Sequence, residues 1–555
     1  MAFLRERAWA RWLVSFAILF SLGALWALAN PPLAAPDEPA HVVHAAAVAR
    51  GELVGEPLTR GQRELLPARL GFGPDFGGNP NLYTSVRVPE VYDRVNWGCM
   101  WHHPEQTAAC LDFSGSQRDV RVVTHADPYP PLYYFWIGLP ARLVSAGPGA
   151  MYVMRFAAVA LAAALLASGI VSLGRIGDSP LVMLGALVAV TPTVLFLAAA
   201  VNPSGLEIAA GLALWMSGAV LAIESRSAER GRVDRRLVAR VGIAAAALVL
   251  SRQLGPIWAV LILLVLAAWT GGRGLRALLA SRATWVWGAV VGACAVAQMA
   301  WLEWAGGLDP HKYIGVPSHE TGVELVERGI GQSSMLFRQM IGDFGWNEVP
   351  APAFTLYMWI AALGGLAALA FVVGRRRDAG VLAVVGVLSA ALPIALIVYQ
   401  SGYAPWLGRY TMPFAVGVPV IAGLALRGPL LGGRRRASVL LAVAGLAVGQ
   451  VLAFGQSLRR WTVLADGPIQ FWKNPAWTPP LSPLLLMVAF TVAVVAWCAW
   501  LGAPTPTQTP EPPVDAEVTR VDLSTHASAP DAARTVTSSL HACRSSPGSS
   551  SSRSS

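Results

Sequence analysis

Residues 10–44 read ARWLVSFAILFSLGALWALANPPLAAPDEPAHVVH. No charge falls between Trp12 and Ala29. A bilayer crossing takes about 17–25 predominantly apolar residues, so 10–29 reads as a membrane-spanning helix. Arg5, Arg7 and Arg11 precede it in the manner of a secretory leader. No small-x-small cleavage site stands before Pro31-Pro32, so the expectation is an uncleaved first helix. Directly behind it the chain turns polar, with Asp37, Glu38, His41 and His44 close together. Such a helix delivers two carboxylates and two imidazoles to the boundary between lipid and water.

The apolar signature recurs at 151–173, 180–200, 204–224, 237–251, 255–271, 284–304, 353–373, 379–399, 410–427, 437–455 and 481–501. With the first run this gives about twelve expected spans, of which 237–251 and 255–271 are short enough to form one broken hairpin. Composition agrees. Charged residues make up 13% of the 555 and hydrophobic ones 55%, whereas a soluble protein carries about 25% charged residues. The net charge of +10 comes from 40 Arg and 2 Lys. These cations sit in short links between apolar runs, where they set topology. A nucleic-acid partner is therefore not expected, and the lipid bilayer is.

Arg placement orients the body. The N-terminus, the 224–240 link, Arg273/Arg276/Arg282, Arg375–Arg377 and Arg427/Arg434–Arg436 fall on one side, which the positive-inside rule makes cytoplasmic. The other side receives 30–150, 201–203, 305–352, 400–409 and 456–480. The expected fold is an all-α polytopic membrane protein of the inner (plasma) membrane, with both termini cytoplasmic. Its body spans 1–502 and carries two long external loops, 30–150 and 305–352, with short helices in them. Residues 131–147 are apolar but interrupted by Pro140 and Arg142, and read as an interfacial or re-entrant helix. The Pro/Thr/Ser-rich tail, 503–555, has too few apolar residues for a core and reads as disordered.

Within 30–130 there are 12 Asp and Glu against 8 Arg, the reverse of the cytoplasmic links. Asp37 has two readings. It is either the N-cap of a helix opening at Pro39, with Glu38 facing the helix dipole, or part of a general-base or metal-binding site with Glu38, His41 and His44. His125, Asp127 and the Pro-stiffened Tyr129-to-Tyr134 stretch form either an aromatic interface anchor or one wall of a cleft. Arg155, Asn202, Glu207, Arg252, Gln253 and Glu303 lie in or beside spans, where ionisable groups face a cavity or a partner. An Arg155–Glu207 pair is one such arrangement. Arg409, at the mouth of a span, grips a phosphate or snorkels to headgroups. The loop 305–352 adds Asp309, His311, Lys312, His319, Glu320, Arg338, Asp343 and Trp346. Cys99 and Cys110 close a disulfide loop, or join His102 and His103 at a metal, or stay free.

Four motifs in order resemble a family of bacterial polytopic membrane proteins similar to the GT-C superfamily of glycosyltransferases. They are Asp37-Glu38-Pro39-Ala40-His41, Pro130-Pro131-Leu132-Tyr133-Tyr134, Val201-Asn202-Pro203 and Gly408-Arg409-Tyr410-Thr411-Met412-Pro413. The resemblance implies a GT-C-like body that moves a sugar from a polyprenyl-phosphate donor to a cell-envelope acceptor on the external face. It implies Asp37 as catalytic base with Glu38 in support, and in some members a divalent metal. About the substrate it sets His41, His125, Asp127, Tyr133, Asn202, Arg252, Arg409 and Tyr410. Where the family often has an acidic residue after the Asn of the third motif, this chain has Ser204. The competing class is a transporter or flippase of a lipid-linked or small polar substrate, with Arg155, Glu207, Arg252 and Glu303 along its path.

Overall fold

The computed structural model describes residues 8–69, 80–176, 179–227, 233–308, 319–399, 406–428 and 433–502. The expected tail 503–555 with Cys543, the Asp309–Lys312 stretch and Gly402–Pro405 lie outside the described residues. Among the described residues, nine helices are long and apolar enough to cross a membrane. They are α1 (Ala8–Ala29), α5 (Pro148–Leu173), α8 (Pro203–Ser225), α10 (Gly255–Leu279), α11 (Arg282–Trp304), α13 (Ala353–Val373), α14 (Arg376–Tyr399), α17 (Gly433–Val463) and α18 (Pro483–Gly502). A bent pair, α6 (Pro180–Ala189) and α7 (Pro192–Ala198), makes a tenth when counted as one span, with 55° between its halves. Thr191 sits at the break and caps α7 through its hydroxyl, while the same oxygen donates to the Met340 carbonyl at 2.7 Å.

The remaining two expected spans take other forms. Helix α9 (Arg235–Val249) has only 15 residues, about 22 Å at 1.5 Å per residue. Its ends are nonetheless held at opposite ends of α8. The N-cap Asp234 meets Arg175, which also binds Glu224, and Arg252 behind the helix donates to Ser204 Oγ at 2.9 Å. The segment expected at 410–427 divides into α15 (Gly408–Ala415) and α16 (Gly417–Ala425).

The first long loop is not purely helical. It contains α2 (Glu38–Val48), α3 (Arg60–Arg69) and α4 (Pro131–Ala141), together with an antiparallel sheet of β1 (Glu56–Pro57), β2 (Thr84–Pro89) and β3 (Asp119–Thr124). The all-α expectation is corrected here, for a legible reason: TSVRVP and DVRVVT alternate β-branched with polar residues at the period of a strand. Val86 and Val122 face each other across the ladder and pack with Val42, Val43 and Ala46 of α2. The second loop holds α12 (Gly322–Gly342), opened by a Thr321/Glu324 capping box. A two-residue hairpin, β4 (Asp343–Phe344) with β5 (Val349–Pro350), follows it.

The two ends of the helical body differ. At one end Arg175, Arg226, Arg377 and Arg427 gather with Glu224, Asp234 and the fully buried Asp378, which accepts from Trp269 Nε1 at 2.6 Å and Arg427 at 2.8 Å. At the other end lie both long loops and the turns that precede α8, α10 and α15. Helix α8 runs through the centre and is buried along almost its whole length, whereas α11 and α13 are mostly exposed.

Candidate active site

The turn out of α1 is fixed by its own polar groups. Asn30 donates to the Trp26 carbonyl, and its Oδ1 accepts from Ser457 and Trp461 of α17 at 2.8 and 2.9 Å. Arg155 then clamps the next residues, donating to the carbonyls of Ala27, Asn30 and Pro31. Glu38 completes the clamp. Its two oxygens take Arg155 at 2.7 and 2.6 Å and also accept from Val201 N–H at 2.9 Å and Ala35 N–H at 3.3 Å. Both side chains are 1% exposed, so the pair is a desolvated ion pair with every carboxylate oxygen engaged. The Arg155–Glu207 pairing is thereby corrected: Arg155 binds Glu38, and Glu207 pairs instead with Arg252 at 3.5 Å. The returning loop brings a nearer carboxylate to Arg155 than α8 does.

Asp37 occupies the N-cap position of α2, yet its side chain makes no cap hydrogen bond. Its backbone is left-handed, φ 60 and ψ 0, a conformation that Asp and Asn adopt more readily than most residues. The carboxylate turns outward, 31% exposed, and accepts from Arg409 Nη2 at 2.5 Å. Asn202 steadies this turn from behind, donating to the Pro36 carbonyl at 2.7 Å while its Oδ1 caps α8 at Ser204.

Arg409 is placed by α12. Gly408 N–H donates to Gln339 Oε1 at 2.7 Å, and a Cβ on Gly408 would meet the Leu336 carbonyl at 2.5 Å. Only glycine permits that approach. The guanidinium is 6% exposed, and beyond Asp37 and Tyr410 its Nε and Nη1 have no hydrogen-bond partner. Arg252 lies close by, 3.4 Å from Tyr129 Oη and over the Tyr410 ring at 4.9 Å. His125, at the end of β3, sets Nε2 4.0 Å from Asp37 and its ring 5.5 Å from that of Tyr83. His41, one turn into α2, pairs Nδ1 with Tyr134 Oη at 2.8 Å.

Thus Asp37, His41, His125, Arg252, Arg409 and Tyr410 come together. Glu38 and Asn202 stand behind them as positioning residues, while Asp127 and Tyr133 are buried in the core beneath. Tyr129 belongs to the stretch expected as a cleft wall, whereas sequence reasoning missed Tyr83 and Gln339, whose types carry no site signal. Of the second loop, Glu320 pairs with Arg328 and Asp343 lies in the hairpin, where burial pushes its carboxyl up to about 6. Cys99 and Cys110 are disulfide-bonded.

Electrostatics separate the groups. Burial raises the Asp37 carboxyl, but Arg409, then His125, His41 and Arg252, outweigh it and hold the group below the ordinary aspartate value. Burial lowers His125 despite the nearby Asp37 charge, and lowers His41 far more. Both imidazoles are neutral at neutral pH. Among the described residues no three His, Cys, Asp or Glu side chains are arranged to hold a metal. Two guanidiniums beside the one outward carboxylate do not fit a resident divalent cation.

An apolar cavity of about 300 Å³ opens between α12, α14 and the breaks at Thr191 and Val416. Its lining includes Leu336, Met340, Trp359 and Met412, the last of these three residues along α15 from Arg409.

The sequence profile of DUF2142, a family of predicted membrane proteins, matches residues 20–418. The chain belongs to that family. The matched region takes in the whole site from Asp37 to Tyr410 and stops before α17 and α18. No curated protein and no solved structure matches the chain.

Proposed function

We propose that this DUF2142 protein is a membrane glycosyltransferase of the GT-C type, moving a sugar from a polyprenyl-phosphate donor to an envelope acceptor on the non-cytoplasmic face. The observation that carries the reading is the Asp37–Arg409 pair. It sets an outward carboxylate, free of any capping role, against a buried guanidinium with two N–H groups unengaged.

The chemistry follows from that pairing. The acceptor hydroxyl attacks the anomeric carbon, its proton passes to Asp37, and the bond from that carbon to the phosphate oxygen breaks. The phosphate leaves as the polyprenyl monoester, its developing charge taken by Arg409 and Arg252. The donor phosphate competes with Asp37 for Arg409, so donor binding loosens the ion pair and restores basicity to Asp37 at the moment a base is needed. The apolar cavity beside Met412 supports a lipid tail entering next to Arg409.

The test is transfer from radiolabelled polyprenyl-phosphate sugars by the purified protein. Label appearing in acceptor with the wild type and lost with Asp37→Asn supports the reading. A second reading, a flippase, is favoured by the bent α6–α7 pair and the divided α15–α16 segment around one cavity. Lipid translocation in proteoliposomes that survives Asp37→Asn, without sugar transfer, selects it.

A further inference from the structure

The loop end of the body carries a second cluster that takes no part in the Asp37 site. Trp97 stacks on Trp346 with centroids 5.7 Å apart and planes 14° from parallel, and Trp101 lies 5.9 and 5.6 Å from the two. All three indoles are half-buried. Trp101 lies inside the disulfide loop Cys99–Cys110, Trp97 two residues before it, and Trp346 in the turn between β4 and β5.

Those segments are locked together. The Glu348 carboxylate accepts from His102 N–H at 3.0 Å. Arg460, at the end of α17, donates to the carbonyls of Gln106 and His103 at 2.5 and 2.9 Å. Gly345 takes φ +60 against Trp461, where a Cβ would lie 3.3 Å from the indole. Two residues after Trp346, Glu348 Oε1 is buried and accepts no hydrogen bond.

Three explanations compete for half-buried tryptophans beside a carboxylate. Headgroup anchors lie on lipid-facing helices, as Trp285 and Trp304 do at 64% and 67% exposure. The trio of Trp97, Trp101 and Trp346 instead sits on loops fixed by the Cys99–Cys110 disulfide and by hydrogen bonds. An ammonium cage needs ring faces enclosing the ion within about 6 Å of each centroid, and the face-to-face packing of Trp97 on Trp346 leaves no slot between those two. A pyranose matches both halves of the feature. Its axial C–H bonds lie on one face and meet the negative face of an indole, while hydroxyls ring its edge and seek acceptors. We propose that Trp97, Trp101 and Trp346 form a binding platform for a carbohydrate ring, with Glu348 Oε1 accepting a hydrogen bond from one of its hydroxyls. This stands apart from the transferase reading, since a flippase of glycolipids has equal use for it.

The experiment uses the full chain in lipid nanodiscs, because glycoside detergents carry the same chemistry. Saturation-transfer NMR is recorded with maltotriose, cellotriose, mannotriose and chitotriose, and with tetramethylammonium as the competing probe. At least one trisaccharide is expected to bind, with affinity falling about tenfold on Trp346→Ala and staying nearly unchanged on Trp346→Phe. Glu348→Gln, which keeps the shape, weakens the same sugar severalfold. Asp37→Asn leaves binding intact, so loss of transfer and loss of the platform are separable. The proposal is overturned if no trisaccharide binds, if binding ignores Trp346→Ala and Trp101→Ala alike, or if tetramethylammonium alone binds in a Trp346-dependent way.

Discussion

At Asp37 one substitution separates chemistry from architecture. Asn adopts left-handed backbone readily, whereas Ala there costs about 1–2 kcal/mol of strain, so Asp37→Asn is the diagnostic change. Its melting temperature should match the wild type, while transfer falls by about 10²–10⁴-fold. Normal transfer by that variant would reduce Asp37 to an ion-pair partner. Arg409→Lys keeps the charge but loses the planar fork, so donor affinity should drop with folding intact. Arg409 also sets the pH response. With it in place the Asp37 carboxyl is held below the 3.8 of an ordinary aspartate, so the acid limb of kcat/KM should lie there too. Removing the cation lets burial raise the group, so in Arg409→Gln the limb should move to higher pH; an unmoved limb would mean that another group titrates. Both residues were legible as chemistry in the sequence. Their contact was not, because 372 positions separate them and residue type alone names no partner. The same blindness set Arg155 against Glu207.

Among the elements, α2 owes its position to Glu38 more than to its own cap. Removing one member of a buried ion pair costs about 3–5 kcal/mol because the other charge is left desolvated. Glu38→Gln should therefore lower expression and melting temperature steeply, the opposite signature to its neighbour Asp37→Asn. Equal melting of the two variants would show that the clamp contributes nothing. Long helices were legible because 18 or more apolar residues admit few other folds. Breaks were not: Pro192 stands in plain view, but hydropathy reads across the bend at Thr191 without a pause, and it reads across the division at Val416 in the same way. The strands β2 and β3 were legible and overlooked. Their alternation is short, and a membrane body makes helix the easy assumption. Short helices were expected in 305–352, but the 21-residue amphipathic α12, which positions Arg409, was not singled out, because Glu324, Glu327, Arg328 and Arg338 dilute its apolar stripe.

For the whole molecule, the separation of the Arg-rich end from the loop end is a structural fact, and assigning the former to the cytoplasm rests on the positive-inside rule. Membrane-impermeant thiol labelling of intact cells tests it. Gln117→Cys should label from outside and Ser227→Cys only after permeabilisation; the reverse pattern inverts the molecule and puts the site on the other face.

The long reach between Asp37 and Arg409 also has a meaning in time. Glu38 meets Arg155 and Val201 within the first 201 residues made, so the turn that aims Asp37 can set early in membrane insertion. At roughly 5–20 residues per second, roughly 10–40 s then pass before Arg409 emerges. A nascent chain thus holds an aimed carboxylate long before its guanidinium partner has been made.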